Sequence, residues 1–289
     1  HSHATDHALV PSDPAVDLPP GRPLVLVDDE ISTGATALDA IRALQALAPR
    51  DRYVVASLVD MRSEVDRDRM DSAAAELGVR IDSVALATGR VTTPDGLTDA
   101  VAELPATPVP APADRRGTVT RVELPWPDGV PDGGRHGFRA SDRPAFDRAI
   151  DDAASTLRPV VGDGPVVVIG HEELMYLPLR LADSLARSGV PALFQTTSRS
   201  PAYVLDAPGY PLRRGWSFRP PEGGDGRRYL YNAAAQGEAT IVLVVDPPAD
   251  TTDLTAPDGV VDALTASGLD VVVAVVPADP AHLTAGRRR

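Results

Sequence analysis

Residues 25–36 read Val-Leu-Val-Asp-Asp-Glu-Ile-Ser-Thr-Gly-Ala-Thr, one apolar run passing into acid and then into a small hydroxyl-rich turn. The segment Pro23 to Val27 has the continuous apolar character of a buried parallel strand. From Ala35 to Leu47 the apolar residues Leu38, Ile41, Leu44 and Leu47 recur at helical spacing. Strand, turn and helix therefore follow one another directly. Asp28 and Asp29 then stand at the carboxyl end of the strand, the edge where open α/β sheets bind ligands. The turn Ser32-Thr33-Gly34-Ala35-Thr36 leads into a helix N-terminus, whose N–H groups and dipole favour an anion. Gly34 lets the backbone approach a ligand closely, and Ser32, Thr33 and Thr36 add hydroxyl donors. Carboxylates beside an anion cradle suit a sugar phosphate, because hydroxyls want acceptors and phosphate wants donors. A plain strand-to-helix turn with an Asp cap is the simpler alternative; the whole string is more specific than either half.

The surrounding pattern extends this reading. Tyr53 to Val59 and Val79 to Leu86 read as further strands, with a helix from Ser63 to Leu77 between them. Strands alternating with helices imply a parallel α/β sheet. Residues 104–115 are rich in Pro and Ala and read as a linker. Gly117 to Leu124 alternates like a short strand, and Trp126 to Gly137 reads as loop. A second α/β pattern follows. It has a helix capped by Ser141, strands at Pro165 to Ile169 and Ala192 to Gln195, and a helix at Leu174 to Arg187. A long loop spans Thr196 to Arg228, and Thr240 to Val245, Val260 to Ala266 and Val271 to Val276 give strand, helix and strand. The expected division is residues 1–103, a linker and loop at 104–134, and a second α/β domain at 135–289.

Composition narrows the chemistry. The 289 residues include no Cys, which excludes disulfides and thiolate catalysis. All 28 basic residues are Arg, so any cationic phosphate clamp must be a guanidinium. The net charge of −13 argues against nucleic acid as a partner. No apolar run approaches the roughly 20 residues that span a bilayer, so no membrane partner is expected, and the expected location is cytoplasmic.

The string Asp28 to Thr36 resembles the type I phosphoribosyltransferase family, which carries a strand, two acidic residues, a Thr-Gly turn and a helix. The resemblance implies that Asp28 and Asp29 contact the ribose 2′- and 3′-hydroxyls. It implies that Ser32, Thr33, Gly34, Ala35 and Thr36 hold the 5′-phosphate of phosphoribosyl pyrophosphate, with Mg²⁺ on the pyrophosphate. The implied reaction displaces pyrophosphate at the ribose C1 by a nitrogen nucleophile, in making a nucleotide-like small molecule. A non-catalytic ribose-phosphate sensor or regulatory subunit is the alternative. Relatives are commonly homodimers. In that family a pyrophosphate loop precedes the acidic motif, and only 27 residues precede Asp28 here. The first domain is therefore expected to be N-terminally incomplete. His7 lies where some members carry a catalytic loop. The terminal group His1, His3, Asp6 and His7 otherwise reads as a metal site or as a terminus without a role. Asp60, ending the second strand, either contacts an incoming base or caps a turn.

The C-terminal part resembles the TRSP domain, found behind phosphoribosyltransferase domains in gene clusters associated with tellurium resistance. The resemblance rests on His136 to Phe138, Gly170 to Leu185, Thr196 to Pro201 and Tyr229 to Asn232. Here His171, Glu172 and Glu173 follow a strand, and Thr196, Thr197, Ser198, Arg199 and Ser200 follow another. A hydroxyl-and-guanidinium loop at a ligand edge suits an anion. The set His171, Glu172, Thr196, Thr197, Arg199 and Ser200 reads as a second anion site, or as a surface loop with a capping Glu.

Overall fold

A computed structural model describes residues 17–104, 110, 113–134, 138–233 and 239–278. The chain divides after Leu104 into two compact units.

The first unit is a three-stranded parallel sheet in the order β1-β2-β3, with β1 at Leu24–Ile31, β2 at Arg52–Asp60 and β3 at Arg80–Thr88. Helix α1 (Ala35–Leu47) joins β1 to β2, and α2 (Glu64–Leu77) joins β2 to β3. Both helices lie on one face. Ile41 and Leu44 of α1 pack on Ile31, Tyr53 and Val55, while Leu38 meets Met70 and Ala73 of α2. Ser63 caps α2 through a reciprocal capping box with Asp66. Strand alternation leaves Val25, Val27, Leu58, Val84 and Leu86 on the opposite face, and all five are exposed. A short helix, α3 (Leu97–Ala102), follows the sheet.

The second unit is a five-stranded, wholly parallel sheet in the order β4-β10-β9-β5-β6. Its strands are β4 (Val119–Glu123), β5 (Val166–Gly170), β6 (Ala192–Thr196), β9 (Thr240–Val245) and β10 (Val271–Val275). Alternate residues of β5, β9 and β10 feed two cores. Val166, Val168, Val242 and Val244 pack with α4 (Arg143–Val161) and α5 (Tyr176–Arg187). Val167, Ile169, Ile241 and Leu243 pack with α6 (Val260–Ala266) and with a two-stranded antiparallel ribbon, β7 (Gly215–Phe218) and β8 (Arg228–Tyr231). Strands covered on both faces have no polar side to show, which is why β5, β9 and β10 read as unbroken apolar runs. The chain leaves β5 toward β6 on one side and β9 toward β10 on the other. The gap between the carboxyl ends of β5 and β9 is therefore the topological switch point, where such sheets hold ligands.

Three sequence expectations change. Strand β7 lies inside the region expected to be loop, and β8 begins at its last residue; the ribbon's apolar residues Trp216, Phe218 and Leu230 are single anchors among Gly, Ser, Arg and Tyr, too few to show a period. Strand β4 falls within Gly117 to Leu124, read as a strand, and pairs with β10 as an edge of the second sheet, so the stretch 104–134 is not all linker and loop. Ser141 does not cap α4. It sits in a 3₁₀ turn (Ala140–Asp142), and the residue at the helix start is Asp142.

Candidate functional site

Strand β1 does not stop at the acids but runs on through Ile31, which pairs with Asp60 of β2. Asp28, Asp29 and Glu30 are thus strand residues, and their side chains alternate across the sheet. A cavity of about 190 Å³ opens beside the start of α1. Asp28, Glu30, Ser32, Thr33, Gly34 and Thr36 line it. Asp29 and Ala35 do not. Asp29 is exposed, and its Oδ1 accepts from the Glu30 N–H at 2.8 Å. Asp28 Oδ1 accepts in turn from the Asp29 N–H at 3.0 Å. Glu30 also lines the cavity, and its signal in the sequence is a third acid directly after Asp28 and Asp29.

Gly34 starts α1 in the left-handed region, at φ 80° and ψ 3°, with no side-chain cap on the helix. A Cβ at this position would lie 2.7 Å from Met70 Cε and 3.2 Å from Arg62 Cδ. The turn therefore needs glycine twice over, for its backbone angle and for its contacts. Thr33 Oγ1 accepts from the Ala35 N–H at 3.3 Å, and no acidic residue occupies the first turn of α1. The helix end thus carries N–H groups and no built-in anion.

Asp60 does not face the cavity as an available carboxylate. Its Oδ1 accepts from the Arg62 backbone N–H at 3.0 Å and from Arg62 Nε at 2.9 Å, and its Oδ2 accepts from Arg62 Nη2 at 2.8 Å. Arg67 adds a contact at 3.4 Å. The pair is nearly sealed, with side chains 9% and 4% exposed. The Arg62 side chain, ahead of every other cause, pulls the Asp60 carboxyl down to about 2. The expected role for Asp60 at an incoming base gives way to a role inside the fold. His7, with His1, His3 and Asp6, lies outside the described residues.

In the second unit the structure joins His171, Glu172, Thr197 and Arg199 beyond the carboxyl ends of β5 and β6, and adds Glu222 and Arg228. His171 is 1% exposed. Its Nε2 lies 2.9 Å from Glu222 Oε2, and its Nδ1 lies 3.2 Å from Thr197 Oγ1. That hydroxyl also accepts from the Glu172 N–H at 3.0 Å. That hydroxyl can donate its proton to Nδ1, the arrangement in which the ring proton sits on Nε2 and faces Glu222. Glu172 has a left-handed backbone, φ 49°, rare for a side chain of this size. Its carboxylate is held between Arg199, at 2.8 Å from Nε, and Arg228. Arg228 also reaches Glu222 Oε1 at 3.2 Å. The ligand atoms of His171, Glu172 and Glu222 lie close enough together to hold a cation. Arg228 already supplies a positive charge between the two glutamates, and burial lowers its own affinity for the proton. Thr196 and Ser200 stand outside this network. Thr196 Oγ1 donates to the Thr197 carbonyl, and the Ser200 carbonyl accepts from Tyr231 Oη. Sequence gave no signal for Glu222, which lies 51 residues from His171.

Among the described residues, no helix is long and apolar enough to cross a membrane. No curated protein and no solved structure matches the chain. Two family models do. Residues 1–90 match the family described as phosphoribosyl transferase, and residues 132–264 match the TRSP domain C-terminal to it. The chain is thus a phosphoribosyltransferase-family segment fused to a TRSP domain.

Proposed function

We propose that the first unit binds phosphoribosyl pyrophosphate and transfers its ribose 5-phosphate to a nitrogen nucleophile. The observation that carries this reading is the single cavity shared by Asp28, Glu30 and the turn Ser32 to Thr36, at the uncapped start of α1. The 5′-phosphate sits against the N–H groups of Gly34 to Thr36 and the hydroxyls of Ser32, Thr33 and Thr36. Asp28 and Glu30 accept from the ribose hydroxyls inside the cavity, and Asp29, exposed between them, adds its charge. Positive charge develops at the ribose C1 as pyrophosphate leaves, and nearby carboxylates stabilise it.

The donors at this edge are carboxylates and hydroxyls, the hard oxygen ligands that suit Mg²⁺ beside a phosphate-bearing substrate. When bound, the ion neutralises charge on the departing pyrophosphate. Asp28, Asp29 and Glu30 are the residues that would hold it. We further propose that the product is a nucleotide-like small molecule, in the tellurium- and stress-resistance setting that the domain pairing implies.

Turnover tests the reading. The full chain, given phosphoribosyl pyrophosphate, Mg²⁺ and a panel of nitrogenous bases, should release pyrophosphate with at least one of them. Binding without release would favour a ribose-phosphate sensor over a transferase.

A further inference from the structure

We infer that Arg62, locked by Asp60, is a positioning residue for the Ser32 to Thr36 turn. The inference rests on the phosphate-cradle reading above, and on how Arg62, Asp60 and Met70 stand against Gly34.

The turn is held from beneath. Gly34 packs on the Arg62 side chain and on Met70, close enough that a single added methyl would collide with Met70 Cε and press on Arg62 Cδ. Arg62 is fixed at every nitrogen. Its N–H and Nε donate to Asp60 Oδ1, Nη2 donates to Oδ2, and Nη1 lies 2.9 Å from Met70 Sδ. A planar guanidinium held on both edges of one carboxylate has little freedom left. The backbone adds a second tie, since the Ile31 carbonyl accepts from the Met61 N–H at 2.8 Å. The segment after β2 thereby fixes the segment after β1.

The guanidinium so fixed stands against a turn whose proposed ligand is an anion, in a chain that has no Lys to place there. A fixed turn keeps its N–H groups convergent before the ligand arrives, so binding does not have to order them. Ribose 5-phosphate gains from this, and unphosphorylated ribose does not.

The test uses the full chain and three variants: Arg62→Met, Arg62→Lys and the control Leu44→Ala, which weakens the α1 core away from the turn. Calorimetry measures ribose 5-phosphate affinity, and hydrogen exchange measures protection of residues 33–38. Arg62→Met should speed exchange in this segment and weaken ribose 5-phosphate by about tenfold or more. Arg62→Lys should recover part of both effects. Leu44→Ala should lower the melting temperature with affinity unchanged. If Arg62→Met leaves exchange at 33–38 as in the parent, the inference is overturned, whatever the ligand data show. If exchange rises but the parent binds no ribose 5-phosphate, the positioning stands and the cradle reading fails.

Discussion

Asp28 and Glu30 line the same cavity, while Asp29 between them does not. The alternation of a β-strand separates neighbours that look equivalent in sequence. The resemblance assigns the ribose to Asp28 and Asp29; the cavity adds Glu30. Glu30→Gln should therefore weaken phosphoribosyl pyrophosphate binding about as much as Asp28→Asn, roughly tenfold for one lost charge-assisted hydrogen bond. Asp29→Asn should cost less. Titration of the three single variants decides the order.

Gly34→Ala should fail on two counts. The added Cβ meets Met70 and Arg62, and φ 80° strains any L side chain. A loss of about 1–3 kcal/mol in stability is expected from the backbone alone. Chemical denaturation of the variant measures it, and ribose 5-phosphate affinity should fall with it.

Acid should release the Asp60–Arg62 lock. The Asp60 carboxyl titrates at about 2 in the fold, below its ordinary value of 3.8. A lowered carboxylate contributes stability that is complete above the unfolded value and lost as pH falls through the folded one. The contribution is about 2 kcal/mol, present above about pH 4 and gone below about pH 2. Denaturation of the parent and of Asp60→Asn across this range should show the gap between them closing. A gap that stays constant from pH 5 to pH 2 would contradict the lock.

How far the sequence shows these features depends on the range of the interaction. The run Val25 to Thr36 carries its own strand, turn and helix start, because each piece is local. Buried parallel strands such as β5, β9 and β10 announce themselves as apolar runs, since both faces are covered. Asp60 was visible as an acid at a strand end, but its partner Arg62 was not recognised two residues on. Side-chain reach decides that pairing, and periodicity does not report reach. The ribbon β7–β8 was hidden because its buried positions are few and its other residues polar. Glu222 and Arg228 reach His171 and Glu172 only through the fold, so no local pattern marks them.

The network around Glu172 should prove structural before it proves chemical. Its side chain is 3% exposed between two guanidinium groups. Arg228 keeps Glu222 and Arg199 is 40% exposed, so Glu172→Gln should destabilise the second unit by about 1–3 kcal/mol. Glu222→Gln keeps an acceptor for His171 and should cost less. Thermal melts of the two variants give the comparison.

The central claim is that Asp28 to Thr36 forms a ribose-phosphate site. Calorimetric titration of the full chain with phosphoribosyl pyrophosphate and Mg²⁺ tests it most directly, run beside the double variant Asp28→Asn with Asp29→Asn. Saturable binding by the parent, abolished or strongly weakened in the double variant, is the predicted result. No binding by the parent, or binding that the double variant leaves untouched, would contradict the account.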